Sequence, residues 1–174
     1  MKAALAASLV ILLAGCGSEA SGGGGADEPA PAVAAELSPT ATVQRFYDAL
    51  LGGEYGDART LLLPMADAAR QEKLAESLGA TGAMMETGEL ALSAHEHVVA
   101  GDWALVVTRH ARRVGEAEDV LIRDEFVYRT ADGWRIATEP MRSDALIEPL
   151  WNGDATQLLN AYRAGHADFV MKYR

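Results

Sequence analysis

Three charged side chains stand where the surrounding pattern calls for apolar ones: Glu96, Arg109 and Asp124. Each lies in a run whose hydrophobic residues recur at every second position, the period of a strand with one buried face. An arginine can present its planar fork to one carboxylate and keep donors for another. Burying such a group is costly unless its charges are well paired or partly wet. Charges on a core face therefore point to a pocket that admits water or a ligand. Such a set could orient a polar head group. It could also perform acid–base chemistry, with Asp124 as base, Arg109 as the orienting and charge-stabilising group, and Glu96 as a second acid of raised pKa.

The elements that must position these residues are four strands, read over 89–99, 103–112, 119–130 and 134–138. The turns between them carry Gly101, Gly115 and Gly133, each suited to a reversal with positive φ. Two-residue turns at Gly101-Asp102 and Gly115-Glu116 set Val98 opposite Leu105, Glu96 opposite Val107, Val107 opposite Asp124 and Arg109 opposite Ile122. Arg109 then lies diagonal to both acids, at roughly 7–8 Å between backbones. A three-residue loop ending at Gly133 sets Thr130 opposite Trp134 and Tyr128 opposite Ile136. One face collects Leu90, Leu92, Trp103, Leu105, Phe126 and Ile136 among its apolar members. The other carries His95, His97, His110, Arg123 and Glu125, read as a solvated surface rather than a zinc site, which would need three or four ligands converging on one ion. The expected ligand-lining set is Glu96, Arg109 and Asp124 with Trp103, Tyr128 and Tyr47.

Ahead of the sheet, Ser38 and Pro39 mark a helix start. Val43, Phe46, Tyr47, Leu50 and Leu51 follow at helical spacing, and Gly52-Gly53 stops the helix. A short helix is expected over 57–63, closed by Pro64, and a third over 67–78. Residues 79–88 read as a loop, with Met84-Met85 filling a gap in the core. After the sheet, Asp154 caps a helix whose stripe runs through Leu158, Tyr162, His166, Phe169 and Tyr173. That stripe suits docking on the domain or on a second copy of the chain. Helices followed by an antiparallel sheet make an α+β fold, with N-terminal helices packed on the concave face of a curved four-stranded sheet, plus a C-terminal helix.

The chain has 174 residues, 49% of them hydrophobic, and a formal net charge of −10. That balance argues against nucleic acid, whose affinity is carried by clustered Lys and Arg, and against electrostatic binding to anionic lipid. No phosphate loop, paired-cysteine spacing or His-Glu-x-x-His run is present, so no cofactor or metal is implied. Residues 1–15 read as an export signal: Lys2, then an apolar run from Ala3 to Ala14 too short to span a bilayer about 30 Å thick. Leu13-Ala14-Gly15-Cys16 resembles the lipobox of bacterial lipoprotein precursors, and Cys16 is the only cysteine. The resemblance implies a lipid on Cys16, an extracytoplasmic address at the cell envelope and, with Gly17 following, the outer membrane if the cell has two. Residues 16–37, with Gly22–Gly25 and Pro29-Ala30-Pro31, form a tether of roughly 25 Å mean span.

Residues 38–140 resemble a known superfamily through the opening helix, the Glu54-Tyr55-Gly56-Asp57-Ala58 entry to the second, the Gly101-Asp102-Trp103 turn and the closing Asp132-Gly133-Trp134-Arg135-Ile136. These look like the nuclear-transport-factor-two-like superfamily of cone-shaped α+β barrels. The resemblance implies a curved sheet around the first helix with a pocket at one end, and residues 141–174 are an addition to that plan. Many such proteins bind small apolar molecules and several are enzymes, so fold does not fix function. The expectation is a non-catalytic domain that binds a small apolar or amphipathic ligand or an envelope protein. The alternative is a pocket enzyme of hydrolase or isomerase type using Glu96, Arg109 and Asp124.

Overall fold

Ser38 Oγ accepts the Ala41 N–H at 3.2 Å and Pro39 fills the first turn, so the first helix starts where the sequence predicts. A computed structural model of the chain describes residues 36–174. The export signal, Cys16 and all but the last two residues of the tether lie outside the described residues. The element order is α1 (Pro39–Leu51), α2 (Tyr55–Thr60), α3 (Ala68–Glu86), β1 (Leu90–Ala100), β2 (Trp103–Val114), β3 (Ala117–Thr130), β4 (Gly133–Ala137) and α4 (Gly153–Tyr173). The fold is α+β, a curved antiparallel sheet in the order β1-β2-β3-β4 with helices before and after it.

Two helices differ from expectation for visible reasons. α3 does not stop at Leu78 but runs on to Glu86, which places Met85 in the core. Gly82 does not break it: a Cβ there would fall 2.7 Å from the Leu50 carbonyl oxygen and 2.6 Å from the Tyr55 hydroxyl. The glycine lets α3 press against α1 and α2. α2 ends at Thr60 because the next residues join the sheet. Leu63 N–H donates to Ile136 O at 2.9 Å, and Ile136 N–H donates to Leu61 O at 2.8 Å.

The register of β2 on β3 is the expected one, with Val107 opposite Asp124 and Arg109 opposite Ile122. β1 keeps Val98 opposite Leu105, but a bulge between Ala94 and His97 shifts its first half. Ser93 faces Arg109, Ala94 faces Thr108, and Glu96 has no partner opposite Val107. β4 is displaced by one residue from expectation. Thr130 pairs with Gly133 and Val127 with Ile136, because only Ala131 and Asp132 form the loop and Gly133 takes φ 97° within the pairing.

The larger correction concerns the faces. Leu90, Leu92, Ala94, Trp134 and Ile136 were expected beside Trp103 and Phe126, and these shifts turn them to the opposite side. Trp134 and Ile136 are still buried, and Leu90, Leu92 and Ala94 partly so, because helices lie on both faces. α1 lies over the face of Ala104, Val106, Thr108 and His110: Gln44 Oε1 accepts the Ala94 N–H at 3.0 Å, and Tyr47 meets His110 edge-on. α4 and the segment before it cover the face of Trp103, Leu105, Val107 and Phe126. There Trp151 packs on Trp103 and Phe126, and the Tyr162 hydroxyl donates to Ile122 O at 2.9 Å. The rule that a one-residue slip exposes an apolar set holds only when one face is wet.

Candidate functional site

The three charges singled out in the sequence do not meet. Arg109 donates from Nη2 to Glu118 at 2.9 Å and from Nε to the Tyr173 carbonyl at 3.1 Å. Glu96, carried outward by the bulge, pairs with Lys172 at 2.8 Å on the surface. Its pKa is lowered by that hydrogen bond, the reverse of the raised value expected. Asp124 pairs with Arg142 at 3.1 Å, and the guanidinium lies 4.7 Å over the Phe126 ring. Glu96 and Asp124 are neutralised by the C-terminal segment and Arg109 by Glu118 of β3, none of them by another of the three. Trp103 is fully buried, with its indole N–H donating to Leu150 O at 2.9 Å, so the segment before α4 closes it off from any ligand. Tyr128 packs at a tilt against Trp103 on that side, whereas Tyr47 belongs to the α1 side.

The α1 side holds a polar cluster that the sequence reading assigned to solvent. Thr108 is buried, and its hydroxyl lies 3.2 Å from His110 Nε2, with the Tyr47 hydroxyl 3.5 Å from the same nitrogen. Burial pushes His110 down to about 4, keeping the ring neutral near pH 7. Glu125, opposite Val106, is half-buried as a residue, but its Oε2 is sealed from solvent and has no hydrogen-bond partner among the described residues. Burial outweighs the attraction of Arg142 and raises its carboxyl to about 7. Burial also raises the Tyr47 phenol, and the Glu125 charge adds to it. One signal for this cluster was present in the sequence: Trp103-Ala104-Leu105-Val106-Val107 is an unbroken apolar run, as in a strand buried on both faces. His95 stacks on Tyr173 with ring centroids 4.2 Å apart and His97 contacts Thr40 at 2.8 Å, so neither ring is freely solvated. Among the described residues, no three His, Cys, Asp or Glu side chains are placed to hold a metal ion.

Two concavities lie beside α3. One of about 430 Å³ opens between α2 and α3 over Leu62, Leu63, Leu74 and Leu78. A second of about 420 Å³ runs between α3 and the residues after β4, over Met65, Leu74 and Met141. Met65 and Leu74 line both, so the two troughs adjoin. A smaller notch of about 250 Å³ sits where β3 runs on past the end of β4, lined by Asp124, Glu125, Glu139 and His166. Asp144 holds the chain beside the troughs in place. Its carboxylate accepts N–H bonds from Ala66, Asp67 and Leu146, and these hold its pKa low. No described helix is long and apolar enough to cross a membrane.

An α+β domain with an apolar-floored trough of small-molecule size is the class these features define. No family model matches the chain, and no curated protein matches it. Among solved structures it is similar to a putative calcium/calmodulin-dependent protein kinase type II association domain from Thiobacillus denitrificans. The identity is 19% and the TM-score 0.40, over 58% of this chain and 90% of that one. A likeness at that level carries no argument, and the fold stands on the strand pairing and helix packing described above.

Proposed function

We propose that this chain is a lipid-anchored, extracytoplasmic binding protein of the cell envelope whose domain holds a small apolar or amphipathic ligand beside α3. The observation that supports binding is the pair of adjoining troughs, each within the roughly 300–1,000 Å³ of ordinary ligand sites and floored by leucine and methionine. The nuclear-transport-factor-two-like resemblance is in keeping with that role. Support for the address comes from the apolar leader and the Leu13-Ala14-Gly15-Cys16 run. In a two-membrane cell the anchor would place the domain at the outer membrane.

The test of binding uses the full chain carrying Cys16→Ser and the fluorescent apolar probe N-phenyl-1-naphthylamine. The parent should enhance its emission, and Ser77→Trp, which fills the second trough from an exposed helix position, should abolish most of the gain. Equal enhancement by both would place the probe elsewhere and refute the trough. For the address, a clickable palmitate analogue fed to the producing cell should label the parent and not the Cys16→Ser chain. Label on both would refute lipidation at Cys16.

The second reading, a pocket enzyme of hydrolase or isomerase type, draws on Glu125, His110 and Tyr47 rather than on the set named from the sequence. A carboxyl near 7 and a neutral imidazole on one face of the sheet, each a neighbour of Tyr47, are suited to proton transfer. If it holds, an activity found in a substrate screen would fall with Glu125→Gln and be unaffected by Ser77→Trp.

A further inference from the structure

The troughs beside α3 have a charge bias opposite to that of the chain. The sequence has 25 acidic and 15 basic residues, yet Arg59, Arg70 and Lys73 line the troughs and no carboxylate does. Helical spacing on α3 produces this arrangement. Arg70, Lys73 and Ser77 fall three and four residues apart on one stripe, and Gln71, Leu74 and Leu78 on the stripe beside it. Glu72 and Glu76 belong to the remaining face and line neither trough. A cationic rim thus runs along an apolar floor.

The three cations also retain free donors. Arg70 meets Asp67 at 3.5 Å and donates from Nη1 to Ser143 at 3.0 Å, which occupies only part of its fork. Among the described residues, no hydrogen bond or ion pair involves the side chain of Arg59 or Lys73. A neutral apolar ligand would leave all three charges unused, and a cationic one would be repelled.

We infer that the second trough takes an amphipathic anion, with an acyl chain along Met65, Leu74 and Met141 and a carboxylate or phosphate head against Arg70 and Lys73. This rests on the binding role proposed above and names its ligand class. Two sources share that chemistry, a free fatty acid and a short-chain anionic phospholipid. Chain burial supplies the affinity, each methylene taken out of water adding to it. The rim cations are exposed and add selectivity rather than strength.

The experiment displaces N-phenyl-1-naphthylamine from the full chain carrying Cys16→Ser, at pH 8 and low ionic strength. Decanoate, decanol and dihexanoyl phosphatidylglycerol compete, each below its micelle concentration. Decanoate should compete several-fold better than decanol. Arg70→Gln with Lys73→Gln should weaken decanoate by roughly two- to thirtyfold, two exposed charges at 0.2–1 kcal/mol each, and leave decanol unchanged. Raising salt should reproduce the loss. Stronger competition by decanoate assigns the site to free fatty acids, and by the phosphatidylglycerol to phospholipid. Decanoate and decanol competing equally, or both weakened alike by the double variant, overturns the anion while the apolar trough stands. If no competitor displaces the probe and Ser77→Trp leaves its signal intact, the binding role falls as well.

Discussion

Glu125 and His110 lie on the same face of the sheet and titrate in opposing senses, so neutralising one should expose the other. The folded state holds the Glu125 proton to about 7, where an ordinary glutamate has lost it near 4.5. Its contribution is complete below about pH 4.5 and is lost as pH rises through about 7, a decline of about 3 kcal/mol over the gap. His110 runs the other way: its folded pKa is about 4 against an ordinary 6.5. Its contribution is present above about pH 6.5 and is lost as pH falls through about 4, also by about 3 kcal/mol. Between pH 4.5 and 6.5 the two nearly cancel in the parent. Glu125→Gln removes the falling member, and urea unfolding followed by tryptophan fluorescence at steps from pH 4.5 to 8 should show it. The stability difference, variant minus parent, should climb by about 3 kcal/mol across that range, because every other titrating group is common to both. Arg123, Asp124, Glu139 and Arg142 bear on Glu125 and remain in place in both chains. A difference curve flat to about 0.5 kcal/mol would mean that the carboxyl titrates in water, and the sealed Oε2 would be refuted.

Trp103→Phe should cost about 2–3 kcal/mol, since it strands the Leu150 carbonyl and opens space against Trp151. A thermal scan would show it, and an unchanged midpoint would mean that the segment before α4 is not held there. Gly82→Ala should destabilise by about 1–3 kcal/mol through contact with Leu50 O. Gly79→Ala, with open space around it, should stabilise by up to about 1 kcal/mol, and a common sign for the two would refute the close packing of α3. Glu96→Gln removes a surface ion pair and should leave the urea midpoint unmoved.

The strands and turns were legible because alternation and glycine placement act locally. The cap of α1 was legible for the same reason. The bulge was not: His95, Glu96 and His97 are polar in succession, so no apolar phase marks where the count slips, and either continuation reads well. Residues 79–88 read as a loop, although α3 continues through them to Glu86 and Gly82 within them is a contact requirement. Both faces of the sheet are buried, and that decided the site. Once α4 covers one side and α1 the other, Arg109 and Asp124 become anchors for the C-terminal segment. Glu125, placed on a solvated face by alternation alone, becomes the sealed carboxyl. The second trough was invisible because it forms between α3 and residues after β4, far apart in sequence.

The two coverings of the sheet come from opposite ends of the described chain. As the polypeptide leaves the ribosome, α1 can close its side once β4 is made, but Trp103, Leu105 and Phe126 stay bare until residues 151–173 emerge. A late-closing half of this kind keeps a nascent chain loose and makes early chain termination an aggregation hazard.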